Sequence, residues 1–296
     1  AEERPFSDHL DADGVYKPAD STFLVEDTWE MLSHSPSAPN LVSQFAHFTK
    51  AAENKEHPIG RVCAEFARKI SERVSHMVDA EKEGRPAGQS ELDALSTEIT
   101  TFMQDLMDRL RGPLGTQRLS DDAVEALWGA IEEGVCATYD EGLRYLYEAR
   151  NRDKEEAFVE ACERLRACAP DDIAMGLEEP SAGDALEAAL TKFQAAIGCA
   201  GMITGARSPV SKLFAFKACT DRVTQALSGE ADADSLPAVV FVIVQARVSG
   251  LCGISAMISD FLWEGMLGSE LGYLAATLDA VVAFLLQADE DDDEEE

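Results

Sequence analysis

The apolar run Leu236–Val244 (LPAVVFVIV) is the strongest constraint on how this chain can fold. It is about half the ~20 residues a helix needs to cross a bilayer, and Pro237 sits inside it. A helix that is apolar on every side belongs in a core. The run therefore reads as a buried helix, and the rest of the pattern is helical too. Phe45, Phe48 and Ala52 recur at spacings of three and four, as do Val62, Phe66, Ile70, Val74 and Met77. Leu92, Leu95, Ile99, Phe102, Met103, Leu106, Met107 and Leu110 form one apolar face, closed by Gly112-Pro113.

Further helices are expected over Ser120–Val135, Tyr139–Ala149, Phe158–Ala169 (stopped by Pro170), Asp184–Ile203, Ser208–Leu227, Leu236–Val248, Ile254–Met266 and Glu270–Gln287. Leu186, Leu190, Phe193 and Ile197 should face inward on one of them, and Leu213, Phe216, Val223 and Leu227 on the next. Ser208 followed by Pro209 is a helix start, because proline suits the first helical turn. No alternating strand, internal repeat or sustained heptad interrupts this. The fold class is all-α: a helical bundle packed against a second helical domain. The expected organisation is an irregular lead-in over 1–40 with a short helix at Phe23–Leu32, a bundle over 41–180, a C-terminal domain over 181–288, and an acidic disordered tail over 289–296. That tail is a solvated end or a contact for a basic partner.

The 296 residues carry 56 acids against 25 bases, a net charge of -31. This argues against nucleic acid, which needs clustered Lys and Arg to neutralise phosphate, and against anionic membrane. The charge serves solubility or suits a basic partner surface. The seven cysteines are scattered with no C-x-x-C pair, so they read as small buried hydrophobes rather than zinc ligands. All five histidines, His9, His34, His47, His57 and His76, lie in the first quarter. No P-loop, G-x-G-x-x-G or H-E-x-x-H pattern occurs, so no metal and no cofactor is expected. The first residues, AEERPFSDHL, lack the apolar run of a secretory leader, and the expected location is cytoplasmic. Trp29, Trp128 and Trp263 read as packing residues.

Three ordered blocks carry a resemblance. The first is Ser208–Leu227, with Pro209-Val210-Ser211-Lys212-Leu213. The second is Ala233-Asp234-Ser235-Leu236-Pro237 followed by AVVFVIVQA. The third is Glu270-Leu271-Gly272-Tyr273, then Leu278, Val282 and Phe284. Their order resembles the vacuolar-protein-sorting-nine domain, a helical module that exchanges guanine nucleotide on Rab GTPases of the early-endosomal subfamily. Phe102–Leu110 and Glu163–Gly176 resemble the helical bundle that precedes this domain in some members.

The resemblance implies an exchange factor recruited to endosomal membranes without inserting into them. In the family a carboxylate enters the magnesium and phosphate site of the GTPase and pairs with its P-loop lysine, while a tyrosine holds the displaced switch. Losing about 5.5 kcal/mol of nucleotide affinity would speed release about 10⁴-fold at unchanged association. Mapped here, the acid is Asp234 and the aromatic is Tyr273. Asp232, Pro237 and Thr277 are the further GTPase-binding positions. The chain departs from the family in three places. The acid usually stands four residues before the proline, where Ala233 is found. Ala276 replaces a threonine, with Thr277 one residue on. Arg247-Val248-Ser249-Gly250 replaces a proline-rich turn. Asp234 or Asp232 could instead only cap the helix that Pro237 opens, and Tyr273 could be a core aromatic with a satisfied hydroxyl. The alternative function is a catalytically weak or inactive Rab-binding or scaffold module. A plain acidic helical adaptor is the third reading.

Overall fold

The structure, a computed structural model, describes residues 58–86, 88–111, 121–136, 138–174, 181–228 and 235–287, without the side chains of 58–59, 109–111 and 121–126. Expectations for the lead-in with Trp29, for Phe45, Phe48 and Ala52, for four of the histidines, for Gly112-Pro113, for Ser120 and for the acidic tail fall outside the described residues. Eleven α-helices and one 3-10 helix form, with no strand among the described residues. In chain order they are α1 (Pro58–Lys82), α2 (Gln89–Arg111), α3 (Asp121–Cys136), α4 (Asp140–Arg150), α5 (Arg152–Leu165), α6 (Pro170–Ala174), α7 (Gly183–Ala200), α8 (Pro209–Leu227), α9 (Ser235–Ala246), α10 (Leu251–Phe261), the 3-10 turn Glu264–Met266, and α11 (Glu270–Gln287). The chain is all-α. It divides into two compact units at Leu146/Tyr147, a boundary that falls within α4.

In the first unit α3 packs on α1 and α2. The stripe Phe66, Ile70, Val74 and Met77 is buried on α1, and Leu92, Leu95, Ile99, Phe102, Met103, Leu106 and Met107 are buried on α2. Phe66 stacks on Phe102 with ring centroids 3.8 Å apart. Glu98 is buried beside them because its carboxylate receives Lys69 at 3.0 Å and Arg73 as well. Trp128 is fully buried, as a packing residue should be.

The second unit is organised around α9. Seven consecutive residues, Ala238 to Val244, are buried. Neighbours cover the helix on several sides: α5, α6, α7, α8 and α11 all pack on it. It ends at Ala246, where Arg247 takes φ 53 and cannot continue a right-handed helix. Among the described residues α11 alone is long and apolar enough to cross a membrane. It buries Leu271, Leu274, Leu278, Val281, Val282 and Leu285 against α5, α8, α9 and α10, the arrangement of a core helix.

Four expectations need correction. The expected helix Ile254–Met266 is two elements, because α10 ends at Phe261, Leu262 is extended, and a separate 3-10 turn follows over Glu264–Met266. On α7 the inward stripe is Ala189, Phe193, Ala196 and Ala200, while Leu190 is exposed and Leu186 and Ile197 are half-buried. The two stripes share Phe193 and the same spacing. The buried one is built of alanines, which let α8 and α9 come close. Leu227 is half-buried at the end of α8 rather than in the core. Pro170 does not merely stop a helix; α5 already ends at Leu165, and Pro170 opens the short α6.

The start of α10 is held from a distance. Its N-cap is Gly250, at φ 72 in the left-handed region, with no side chain of its own to accept the first free amides. The Glu155 carboxylate on α5 accepts the Gly250 N–H and, at 3.1 Å, the Cys252 N–H. At Gly253 an added Cβ would lie 2.9 Å from the Glu148 backbone nitrogen, so only glycine lets α10 rest on that backbone. Glu155→Ala should therefore lower unfolding free energy by about 1–2 kcal/mol in urea titrations, and Glu155→Gln by less, because an amide oxygen still accepts.

Burial sets the cysteine chemistry. Desolvation pushes Cys63 and Cys219 up to about 12; it does the same to Cys162 and Cys252, with the Glu155 charge adding to it. The folded state thus keeps protons that the unfolded chain loses above about pH 9. The stability these neutral thiols contribute is complete below that pH and is lost as pH rises towards 12. Unfolding midpoints measured from pH 7 to 11 should fall above pH 9, and replacing Cys63 and Cys219 by alanine should make that fall shallower.

Candidate functional site

The candidate site is assembled on α8, α9 and α11, each of which packs on the other two. The start of α8 is fixed by a reciprocal cap: Ser211 N–H donates to Ser208 Oγ at 3.2 Å, and Ser208 N–H donates to Ser211 Oγ at 3.0 Å. Pro209 occupies the first turn. Lys212, the lysine of the Pro209–Leu213 stretch, is fully buried, and its ammonium donates to the Ala206 carbonyl. Lys212 therefore staples the turn before α8 and offers no charge to a partner.

The start of α11 is fixed from two sides. Gly272 lies against the preceding turn: a Cβ there would come within 2.5 Å of both the Met266 and Leu267 carbonyl oxygens. The Glu-x-Gly-Tyr element thus needs its glycine for close backbone approach. Glu270 pairs with Lys217 of α8 at 2.8 Å, and Lys217 also meets Asp221 at 3.2 Å. Bonding to Glu270, joined by Asp221, raises the Lys217 pKa, so this ammonium stays charged. Further along, Asp279 accepts hydrogen bonds from Ser255 and, at 3.3 Å, from Ser259 of α10. Tyr147 donates to Asp260 on α10 at 2.6 Å, and Gln245 of α9 donates to the Arg166 carbonyl at 2.7 Å.

These constraints turn Tyr273 outward. It is 69 % exposed, the most exposed of the large hydrophobic side chains among the described residues, although both of its neighbours in sequence, Gly272 and Leu274, are buried. Thr277 lies one turn further on the same helix, half-buried, and its hydroxyl donates to the Tyr273 carbonyl at 2.8 Å. That bond leaves its oxygen lone pairs as acceptors. Ala276, in the place where the resemblance expects threonine, is exposed and supplies no hydroxyl. Pro237 is half-buried in the first turn of α9. Asp232 and Asp234 lie just before α9, outside the described residues. The site residues that are described therefore fall on two packed helices, with Tyr273 and Thr277 together on α11 and Pro237 on α9.

Sequence reasoning did not pick out Phe214, Lys217 or Leu267. Phe214 is 43 % exposed on α8 and Leu267 is 64 % exposed just before α11. The one available signal was that Phe214 lies off the inward stripe Leu213, Phe216 and Val223. Among the described residues no group of three or more His, Cys, Asp or Glu side chains is arranged to hold a metal ion.

Residues 193–290 match the family described as the Vacuolar sorting protein 9 (VPS9) domain, from Phe193 within α7 to beyond the end of α11. No curated protein matches the chain. Over that segment the chain is similar to VPS9-type domains, and domains of this family bind Rab GTPases and promote guanine-nucleotide exchange on them. The segment does not fill its compact unit: α5 and α6 precede it and pack on α9, and α5 also packs on α10 and α11.

Gly272→Ala should cost about 1–3 kcal/mol of stability, because its Cβ would press on two backbone carbonyls that have no rotamer to yield. Gly268→Ala, whose Cβ would meet nothing within 4 Å, should be neutral to within about 0.5 kcal/mol. Paired denaturant melts of the two variants check this.

Proposed function

We propose that this protein is a guanine-nucleotide exchange factor for a Rab GTPase of the early-endosomal subfamily. The observation that carries the reading is Tyr273, exposed within the VPS9-type segment on the element Glu270-Leu271-Gly272-Tyr273, whose backbone is held by Gly272 and the Lys217–Glu270 pair. In this reading Tyr273 presses on the switch region of the GTPase, Pro237 and Thr277 line the same surface, and Asp234, seconded by Asp232, presents a carboxylate to the phosphate-binding lysine. The exchange factor makes no covalent bond. It replaces one charge-assisted contact of that lysine with another, and the nucleotide loses its anchor. The protein would act in the cytoplasm, recruited to endosomal membranes.

A second reading, a Rab-binding module with weak or no exchange, is favoured by Ala233 and Ala276 standing where the family carries an acid and a threonine. The two readings differ in rate. With a panel of purified Rabs loaded with a fluorescent GDP analogue, the exchange reading expects accelerated release from early-endosomal members in excess GTP. It expects Asp232→Ala combined with Asp234→Ala to slow that release about tenfold to a hundredfold. That is the size of one hydrogen bond to a charged group, about 1.5–3 kcal/mol. Tyr273→Ala should slow it about tenfold. Stable binding of nucleotide-free Rab without accelerated release would establish the second reading. Neither binding nor release on any Rab would overturn both.

A further inference from the structure

We propose that α8 extends the GTPase-binding surface through Phe214, which together with Leu267 and Tyr273 forms an apolar seat around the Lys217–Glu270 ion pair. This rests on the exchange-factor reading and adds to it an anchor outside the residues that the resemblance supplies. Six large hydrophobic side chains among the described residues are conspicuously exposed: Val159, Leu190, Met202, Phe214, Leu267 and Tyr273. Three of the six stand three residues in sequence from a member of one ion pair. Phe214 lies three residues before Lys217 on α8, so the two share a face. Tyr273 lies three residues after Glu270 on α11, so these two share a face as well, and Leu267, whose carbonyl lies against Gly272, stands in the preceding turn. The 2.8 Å bond between Lys217 and Glu270 joins the two faces edge to edge.

The chain carries a net charge of -31, and here the cation of the pair, Lys217, is bonded to two carboxylates, Glu270 and Asp221. The result is a set of apolar side chains beside a bonded charge cluster that keeps one net negative charge. An aromatic anchor ringed by such contacts is the usual make-up of the energetic centre of a protein interface. The occupant is the Rab GTPase itself, because the patch is continuous with Tyr273. Its switch segments would bury Phe214 and Leu267 in the same event that engages the tyrosine. Phe214 then contributes to holding the GTPase and not to expelling the nucleotide, since no carboxylate acts through it.

The test is the Rab-concentration dependence of nucleotide release by the full chain. Phe214→Ala should raise KM about tenfold with kcat unchanged, and Phe214→Asp should raise it further. Asp232→Ala with Asp234→Ala should lower kcat instead. Val159→Ala, equally exposed on α5, should change neither. Leu267→Ala supplies an independent variant should a Phe214 variant melt early, and it should raise KM about fivefold. If wild-type protein binds Rab without accelerating release, the readout is the dissociation constant, with the same expected changes. An active wild type whose KM is untouched by both Phe214 and Leu267 substitution overturns this inference and leaves the exchange reading standing. A fall in kcat alone overturns it too, because Phe214 would then act by positioning. A wild type that neither binds nor accelerates any Rab removes the exchange reading and this inference with it.

Discussion

A helix with no polar side has to be surrounded, and α9 is such a helix. Its seven-residue buried run offers no face to water, so the chain supplies α5, α6, α7, α8 and α11 as its enclosure. Burying apolar surface at about 25 cal/mol per Å² makes this enclosure the main source of cohesion in the second unit. The places these neighbours must take govern the rest of the unit. Alanines face inward on α7 because a close approach is wanted there. α11 is largely apolar because one side of it belongs to the same core. The one strip of α11 left free is the strip that carries Tyr273.

That free strip is held rigid by polar devices at its edges. Gly272 lets the helix sit directly on the preceding carbonyls, Lys217 and Glu270 tie its first turn to α8, and Asp279 ties a later turn to two serines of α10. An exposed ion pair alone is worth little. Here it works with backbone contact and with hydrogen bonds from another helix, and together they define the rotation of α11. A binding tyrosine on a fixed helix loses less freedom on association than one on a mobile loop.

Much of this is legible in the chain. The bounds of α11, the cap at Ser208 with Pro209 behind it, and the burial of α9 all arise from local chemistry or from a continuous apolar run. The α7 stripe is misread from sequence because two overlapping sets, Leu186–Leu190–Phe193–Ile197 and Ala189–Phe193–Ala196–Ala200, have the same period. Larger side chains look like the core until the distance to the neighbouring helix is known. Glu155 capping α10 and Lys217 pairing with Glu270 span long stretches of sequence, and such pairs leave no periodic mark. Asp232 and Asp234 are legible as an acid-bearing approach to α9, but their placement depends on a short segment with no repeating pattern to fix it.

The bond from Glu155 to the amides at the head of α10 bears on how such a module can be inherited. It joins a helix upstream of the VPS9 match to one within it, and Tyr147 and Arg166 reach across the same border to Asp260 and Gln245. A gene fragment trimmed to the recognisable family segment would carry α10 without its cap and α9 without part of its wall. The portable piece of this protein is therefore larger than its signature. Recombination that respects the fold would have to break the chain ahead of Tyr147, leaving α5 and α6 to travel with a domain whose family resemblance does not include them.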